Sequence, residues 1–180
     1  TGNALAICPR QLLQKIIAEA TEAGFEAKTS QEFEWFNFSE TPKSFAEKEG
    51  KHLTPLTPGM FGYSILRSSQ RNDFFSSLFD QLKQFDIPLE GLHTETGPGV
   101  YEAAIAYSDV LTAADNAVLF KTAVKEIACQ HGILASFMAK INENLPGCSG
   151  HVHQSLWKAN ANLFYDAGQP QRMSTIMQQY

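Results

Sequence analysis

The chain has 180 residues, 43% of them hydrophobic and 11% aromatic, enough for one domain with a substantial core. Its 14 basic and 19 acidic side chains leave a net charge of −5, which argues against non-specific nucleic-acid binding but not against ATP, because a local cation can hold phosphate. No apolar run approaches the roughly 18 residues of a membrane span. The opening TGNALAICPR lacks the pattern of a signal peptide. Cys8, Cys129 and Cys148 are too dispersed for a disulfide framework or a CxxC zinc site, which fits a reducing cytoplasmic setting.

In chain order, residues 9–24 read as a helix, with Pro9 in its first turn, an apolar stripe through Leu12, Leu13, Ile16, Ile17 and Ala20, and Gly24 as its stop. Residues 25–29 and 32–38 read as two strands rich in Phe and Trp. A long loop is expected from Ser39 to about Gly59, punctuated by Pro42, Gly50, Pro55 and Pro58. Residues 71–85 read as a helix, followed by strands at Ile87–Thr96 and Val100–Tyr107 around the turn Gly97-Pro98-Gly99. The spacing of Ala117, Phe120, Val124, Ile127 and Ala128 predicts a helix over 112–131, stopped by Gly132. Strands follow at 133–138 and 151–157, and 171–180 begins a helix at the chain end, which suggests that the natural domain continues. There is no internal repeat. This order predicts an α+β fold, an antiparallel or mixed sheet with flanking helices.

Three segments hold candidate chemistry. Glu32 and Glu34 flank Phe33 in a strand, so alternation points both carboxylates to one face, where a cation would relieve their repulsion. A solvated acidic face explains the same pattern. Glu95 and Glu102 bracket the Pro-Gly turn, and such a hairpin can aim both at one cavity as hard oxygen ligands for Mg²⁺ or Mn²⁺; an ordinary surface hairpin remains the other reading. His151, His153 and Ser155 share a strand face after the Gly-rich loop Pro146–Gly150, as metal or anion contacts or as structural residues. Spacing alone reaches no further than a possible carboxylate-rich site for a divalent metal.

The ordered stretches TSQEFEWFNF, HTETGPGVYE, ADNAVLFKTAVKEIACQHGILASFMAK and GCSGHVHQSLW resemble the catalytic domain of the glutamine synthetase superfamily over most of residues 9–165. The spellings LTPLTPGMFGYSILR and PGCSGHVHQSL are similar to glutamine-synthetase-like members, among them γ-glutamyl-amine ligases and the non-enzymatic lens protein lengsin. The resemblance implies an ATP-dependent ligase that joins glutamate to ammonia or an amine through γ-glutamyl phosphate, with two Mg²⁺ or Mn²⁺ ions. It assigns Glu34, Glu95 and Glu102 to one metal and Glu32 and His151 to the other. It places Glu90 and Ser155 against ATP, His153 against a substrate carboxylate or the transferred phosphoryl group, and Gly147 in the glutamate loop. A lengsin-like structural protein that kept the fold is the alternative.

Two departures bear on the substrate subsite. Pro146 stands where the family usually has Asn, and Ala139 where proline is common. The resemblance further implies that residues 1–180 are part of a catalytic domain. A small N-terminal β-grasp-like domain would precede them, the last metal-binding acid, the phosphate-binding arginines and the flap acid would follow, and the whole would assemble as a large ring oligomer.

Overall fold

Along the chain the elements are α1 (Pro9–Glu22), β1 (Glu26–Phe38), α2 (Pro42–Glu47), α3 (Ile65–Gln70), α4 (Asn72–Gln84), β2 (Leu89–Thr94), β3 (Val100–Ile105), β4 (Ser108–Asp109), α5 (Val110–Gln130), β5 (Leu134–Ser136), β6 (Gly150–Lys158), β7 (Ala161–Asn162) and α6 (Thr175–Gln179). They come from a computed structural model that describes residue 5 and residues 7–180; half of the segment read as lacking a signal peptide lies outside the described residues. The strand order is β2-β3-β1-β6-β7, with β4 and β5 also pairing to β1. The registers of β1 with β3, β4 and β5, of β2 with β3 and of β6 with β7 are antiparallel. This is the α+β architecture expected. Among the described residues, no helix is long and apolar enough to cross a membrane.

Three expectations need correction. The strands expected at 25–29 and 32–38 are one 13-residue strand, because neither Gly nor Pro interrupts Ser30-Gln31 and both residues are buried within the run. The expected loop after Ser39 contains α2, because Pro42 occupies a first helical turn, where its missing N–H costs nothing, and Thr41 and Ser44 close a capping box. The expected helix over 171–180 is only α6, preceded by a 3₁₀ turn at Pro170–Arg172.

The chain divides into two units, and β1, α5 and β6 pass through both. The smaller takes the described residues up to Ser30, with Tyr107–Asp115 and Val152–Tyr180. In it Arg10 forks onto Asp115 at 2.8 and 2.9 Å, and the Lys28 ammonium lies 4.2 Å above the Trp157 ring.

The larger unit, Gln31–Ala106 with Asn116–His151, holds the main core. Strand alternation sorts it into two faces. On one face Trp35, Tyr101, Ala103 and Ile105 pack with Phe74, Leu78 and Leu82 of α4 and Phe120, Val124 and Ala128 of α5. The opposite face carries Glu32, Glu34 and Glu102, with Phe36, Phe38 and Val100 in a second apolar cluster.

The segment after β1 is tied down by a buried carboxylate. Glu40 accepts from the Ser44 hydroxyl at 2.6 Å, from the Thr54 backbone N–H at 2.8 Å and from the Lys48 ammonium. The Lys48 bond, then Ser44 and Thr54, hold its carboxyl down at about 2. The same segment meets the β2–β3 turn, where Gly99 N–H donates to Thr57 Oγ1 at 3.2 Å and Leu56 N–H donates to the Asn37 carbonyl at 2.9 Å.

Gly99 has φ +72°, and a Cβ on it would stand 2.3 Å from the Asn37 carbonyl oxygen and 3.1 Å from Leu56 N. Both the left-handed backbone and the space exclude a side chain. Gly99→Ala is therefore expected to destabilise the chain by about 1–3 kcal/mol through backbone strain alone, with the carbonyl clash adding to it. A urea titration showing an unchanged midpoint would contradict this account of the turn.

Candidate metal centre

Antiparallel pairing lines up three side chains across three strands. Glu34 on β1 faces Glu102 on β3, and Glu102 faces His93 on β2. All three lie on the face opposite the one packed by α4 and α5. Glu95 follows β2 directly. Ligand atoms of His93, Glu95 and Glu102 all lie within 4.8 Å of one another. His93 Nε2 is 3.4 Å from Glu95 Oε2 and 3.6 Å from Glu102 Oε2. Glu32, two residues before Glu34, reaches the same cluster through a side-chain hydrogen bond with Glu102.

Burial pushes the Glu102 carboxyl up, the charge and hydrogen bond of Glu32 push further, and the charges of Glu34 and Glu95 add to them, so that it reaches about 7. Glu95 is also raised by burial, but the Thr96 backbone and side chain, the Tyr63 hydroxyl and His93 outweigh that and leave it below the usual carboxylate range. The Thr96 N–H donates to Glu95 Oε1 at 2.5 Å. Glu95 Oε2 and His93 Nε2 are buried and make no hydrogen bond among the described residues. Two buried polar atoms without a hydrogen bond, beside a carboxyl pushed up by its acidic neighbours, fit a bound cation, and the oxygen-rich donor set suits Mg²⁺ or Mn²⁺.

Glu102 gives a pH test. Its folded pKa lies above its unfolded value, so its contribution to stability is fully present at acid pH and is lost as pH rises through about 7. The urea midpoint at pH 8 relative to pH 5, without metal, should fall less in Glu102→Gln than in the unaltered chain. Equal changes in the two proteins would contradict the raised carboxyl.

The other expected residues fall as follows. His151 is the second residue of β6, and Ser149 just before that strand joins Glu34 to His151: Ser149 Oγ is 2.6 Å from Glu34 Oε1 and 2.8 Å from His151 Nε2. Gly147 lies in the loop before β6, and a Cβ there would stand 2.5 Å from the Ala139 carbonyl oxygen. Glu90 is exposed at the β-bulge between Leu89 and Gly91. His153 and Ser155 belong to the smaller unit; His153 is exposed, and Ser155 Oγ accepts from the Trp157 indole N–H at 2.8 Å.

Sequence reasoning missed three residues of the cluster. His93 lay inside the quoted motif, and its spacing two residues before Glu95 was the available signal. Tyr63 stacks on His93 with centroids 4.6 Å apart and hydrogen-bonds Glu95, while its backbone N–H donates to Thr94 O at 2.6 Å. Ser149 carried no pattern that separates a carboxylate clasp from an ordinary loop serine.

The chain matches the family model described as "Glutamine synthetase, catalytic domain" over residues 6–180. It belongs to the glutamine synthetase catalytic-domain family. The type-1 glutamine synthetase 2 of Dictyostelium discoideum is 52% identical over 99% of this chain and 34% of its own length. A glutamate–isopropylamine ligase of a Pseudomonas species is 35% identical over 97% of the chain and 38% of its own length. The solved structure of GmaS without ligand superposes with a TM-score of 0.81 at 27% identity, over 96% of this chain and 40% of that one. The chain thus spans a little over a third of the length of the curated relatives it matches.

Proposed function

We propose that the whole protein is an ATP-dependent ligase that joins the γ-carboxyl of glutamate to ammonia or an amine. The observation that carries this reading is the row Glu34–Glu102–His93 with Glu95 beside it, where the ligand atoms of His93, Glu95 and Glu102 converge and two of these side chains carry buried polar atoms without a hydrogen bond. Relatives named as a glutamine synthetase and a glutamate–isopropylamine ligase support the reaction class and leave the nitrogen donor open between ammonia and an amine.

In this reading Glu34, Glu95 and Glu102 hold one Mg²⁺ or Mn²⁺, and Glu32 and His151 contribute to a second. The ions, when bound, offset charge that spreads over the phosphoryl oxygens during transfer from ATP. Glutamate's γ-carboxylate oxygen attacks the terminal phosphorus, ADP leaves, and γ-glutamyl phosphate forms. Ammonia or the amine then attacks the acyl carbon, loses a proton, and expels phosphate to leave the amide. His93 and Tyr63 wall the cluster and orient Glu95. His153 is assigned to the substrate carboxylate or transferred phosphoryl group, Glu90 and Ser155 to the nucleotide, and Gly147 to the glutamate loop. Large ring assembly and cytoplasmic residence belong to the same proposal.

The test is phosphate release by the whole protein from ATP with glutamate, Mg²⁺ or Mn²⁺, and a panel of nitrogen donors from ammonia to small primary amines. Release that requires all four components supports the ligase. Release with none of the panel favours the lengsin-like structural alternative.

A further inference from the structure

We infer that Ser149 is a positioning residue that clasps Glu34 and links it to His151, setting the geometry in which the two proposed metal positions are filled. The inference rests on the metal reading above, and the bonds themselves are specific. Ser149 meets Glu34 in three ways: its backbone N–H donates to Oε2 at 3.1 Å, its hydroxyl lies 2.6 Å from Oε1, and its carbonyl accepts from the Glu34 backbone N–H at 3.1 Å. Both carboxylate oxygens are therefore engaged by one residue 115 positions away in the chain.

The hydroxyl has one proton to give and two neighbours to satisfy. The shorter contact, to Glu34 Oε1, takes the proton. The 2.8 Å contact to His151 Nε2 is then made by a ring N–H donating to the Ser149 oxygen. That arrangement places the imidazole proton on Nε2 and leaves Nδ1 as the lone-pair nitrogen, the form in which a histidine serves as a metal ligand. One hydroxyl thus sets the rotamer of a carboxylate and the tautomer of an imidazole that belong to two proposed metal positions.

The loop that delivers Ser149 is fixed by backbone. Cys148 N–H donates to the Ala139 carbonyl at 2.8 Å, and Gly147 passes so close to that carbonyl that no side chain fits. Gly147 therefore has a role of its own here: it lets the loop come down far enough for Ser149 to reach Glu34.

The experiment is a Mn²⁺ titration of the whole protein, reading free Mn²⁺ by electron paramagnetic resonance, for the unaltered protein, Ser149→Ala, Ser149→Thr and Glu102→Gln. Ser149 is exposed, so its variants should keep the thermal midpoint of the parent. Ser149→Ala is expected to weaken Mn²⁺ binding by about 10- to 100-fold, as loss of a partner behind a metal ligand does, while Ser149→Thr, which keeps the hydroxyl, stays within a few-fold of the parent. Unchanged affinity in Ser149→Ala, with Glu102→Gln still weakened, would overturn the role of Ser149 and leave the metal reading standing. Equal weakening in the Ala and Thr variants would overturn it too, since the hydroxyl would then not be the cause. Absence of Mn²⁺ binding by the unaltered protein would remove the metal reading itself, and this inference with it.

Discussion

Glu95→Gln in the whole protein is expected to lower amine-dependent phosphate release by about 10²–10⁵-fold, the range seen when one group that balances charge in phosphoryl transfer is lost. The substitution is nearly isosteric, so it removes charge and a ligand oxygen while keeping volume. Glu95 is set apart from the other carboxylates by its local bonds. The Thr96 N–H, the Tyr63 hydroxyl and His93 hold it ionised despite burial, while its second oxygen remains without a hydrogen bond among the described residues. An amide there would keep the hydrogen bonds of one oxygen and replace the other by an N–H₂ group facing His93. The thermal midpoint should move little, because relief of repulsion with the neighbouring acids offsets the weakened bonds to Thr96, Tyr63 and His93. A variant that loses activity together with its fold would point to a structural carboxylate, and one that keeps full activity would exclude Glu95 from the proposed chemistry.

The second large effect is on stability. Trp35→Ala should cost about 3–5 kcal/mol, the usual range for truncating a large buried aromatic. Trp35 is fully buried on the strand face opposite the carboxylates, stacked or edge-on against Tyr101, Phe120 and Phe137. Its indole N–H donates to Asn37 Oδ1 at 2.9 Å, and the Asn37 side-chain amide donates to the Gly99 carbonyl at 3.1 Å. Removal would leave a cavity between sheet and helices and free the Asn37 oxygen that helps hold the β2–β3 turn. The loss should appear as a lower urea midpoint. A midpoint shift smaller than that of Gly99→Ala would mean that the core repacks around the missing ring. Trp35→Phe, which keeps most of the volume but not the N–H, would separate packing from the hydrogen bond.

Much of the fold was legible because its elements repeat a physical pattern. The 112–131 segment places Phe120, Val124, Ile127 and Ala128 at helical spacing, and α5 buries all four in the main core, while Ala117 of the same stripe is only half-buried and Ala113, outside it, is buried. The hairpin around Gly97-Pro98-Gly99 was legible from turn chemistry, and its register puts Glu102 beside Glu34. The segment after Ser39 was misread because proline serves both as a breaker and as a first-turn helix residue, and only the Thr41–Ser44 pairing distinguishes the two at Pro42. α3 was missed for a related reason. It is six residues long, too short for a period to emerge, and depends on Ser64 accepting from the Arg67 N–H.

The candidate centre divides along the same line. Carboxylates on strands could be found by alternation and motif. Tyr63 and Ser149 enter from loops, and what brings them in is backbone approach: Tyr63 through its bond to Thr94, Ser149 through the tight passage of Gly147 at Ala139. Such contacts leave no periodic trace in sequence. His93 is intermediate, since its position on the Glu95 side of the strand was readable while its orphaned ring nitrogen was not.

The most direct test is anomalous X-ray scattering from crystals of the whole protein grown with Mn²⁺ and an ATP analogue that cannot transfer its phosphate. The account predicts a manganese peak bounded by Glu34, Glu95 and Glu102, and a second beside Glu32 and His151. A structure with the nucleotide bound and no manganese among these side chains would contradict it.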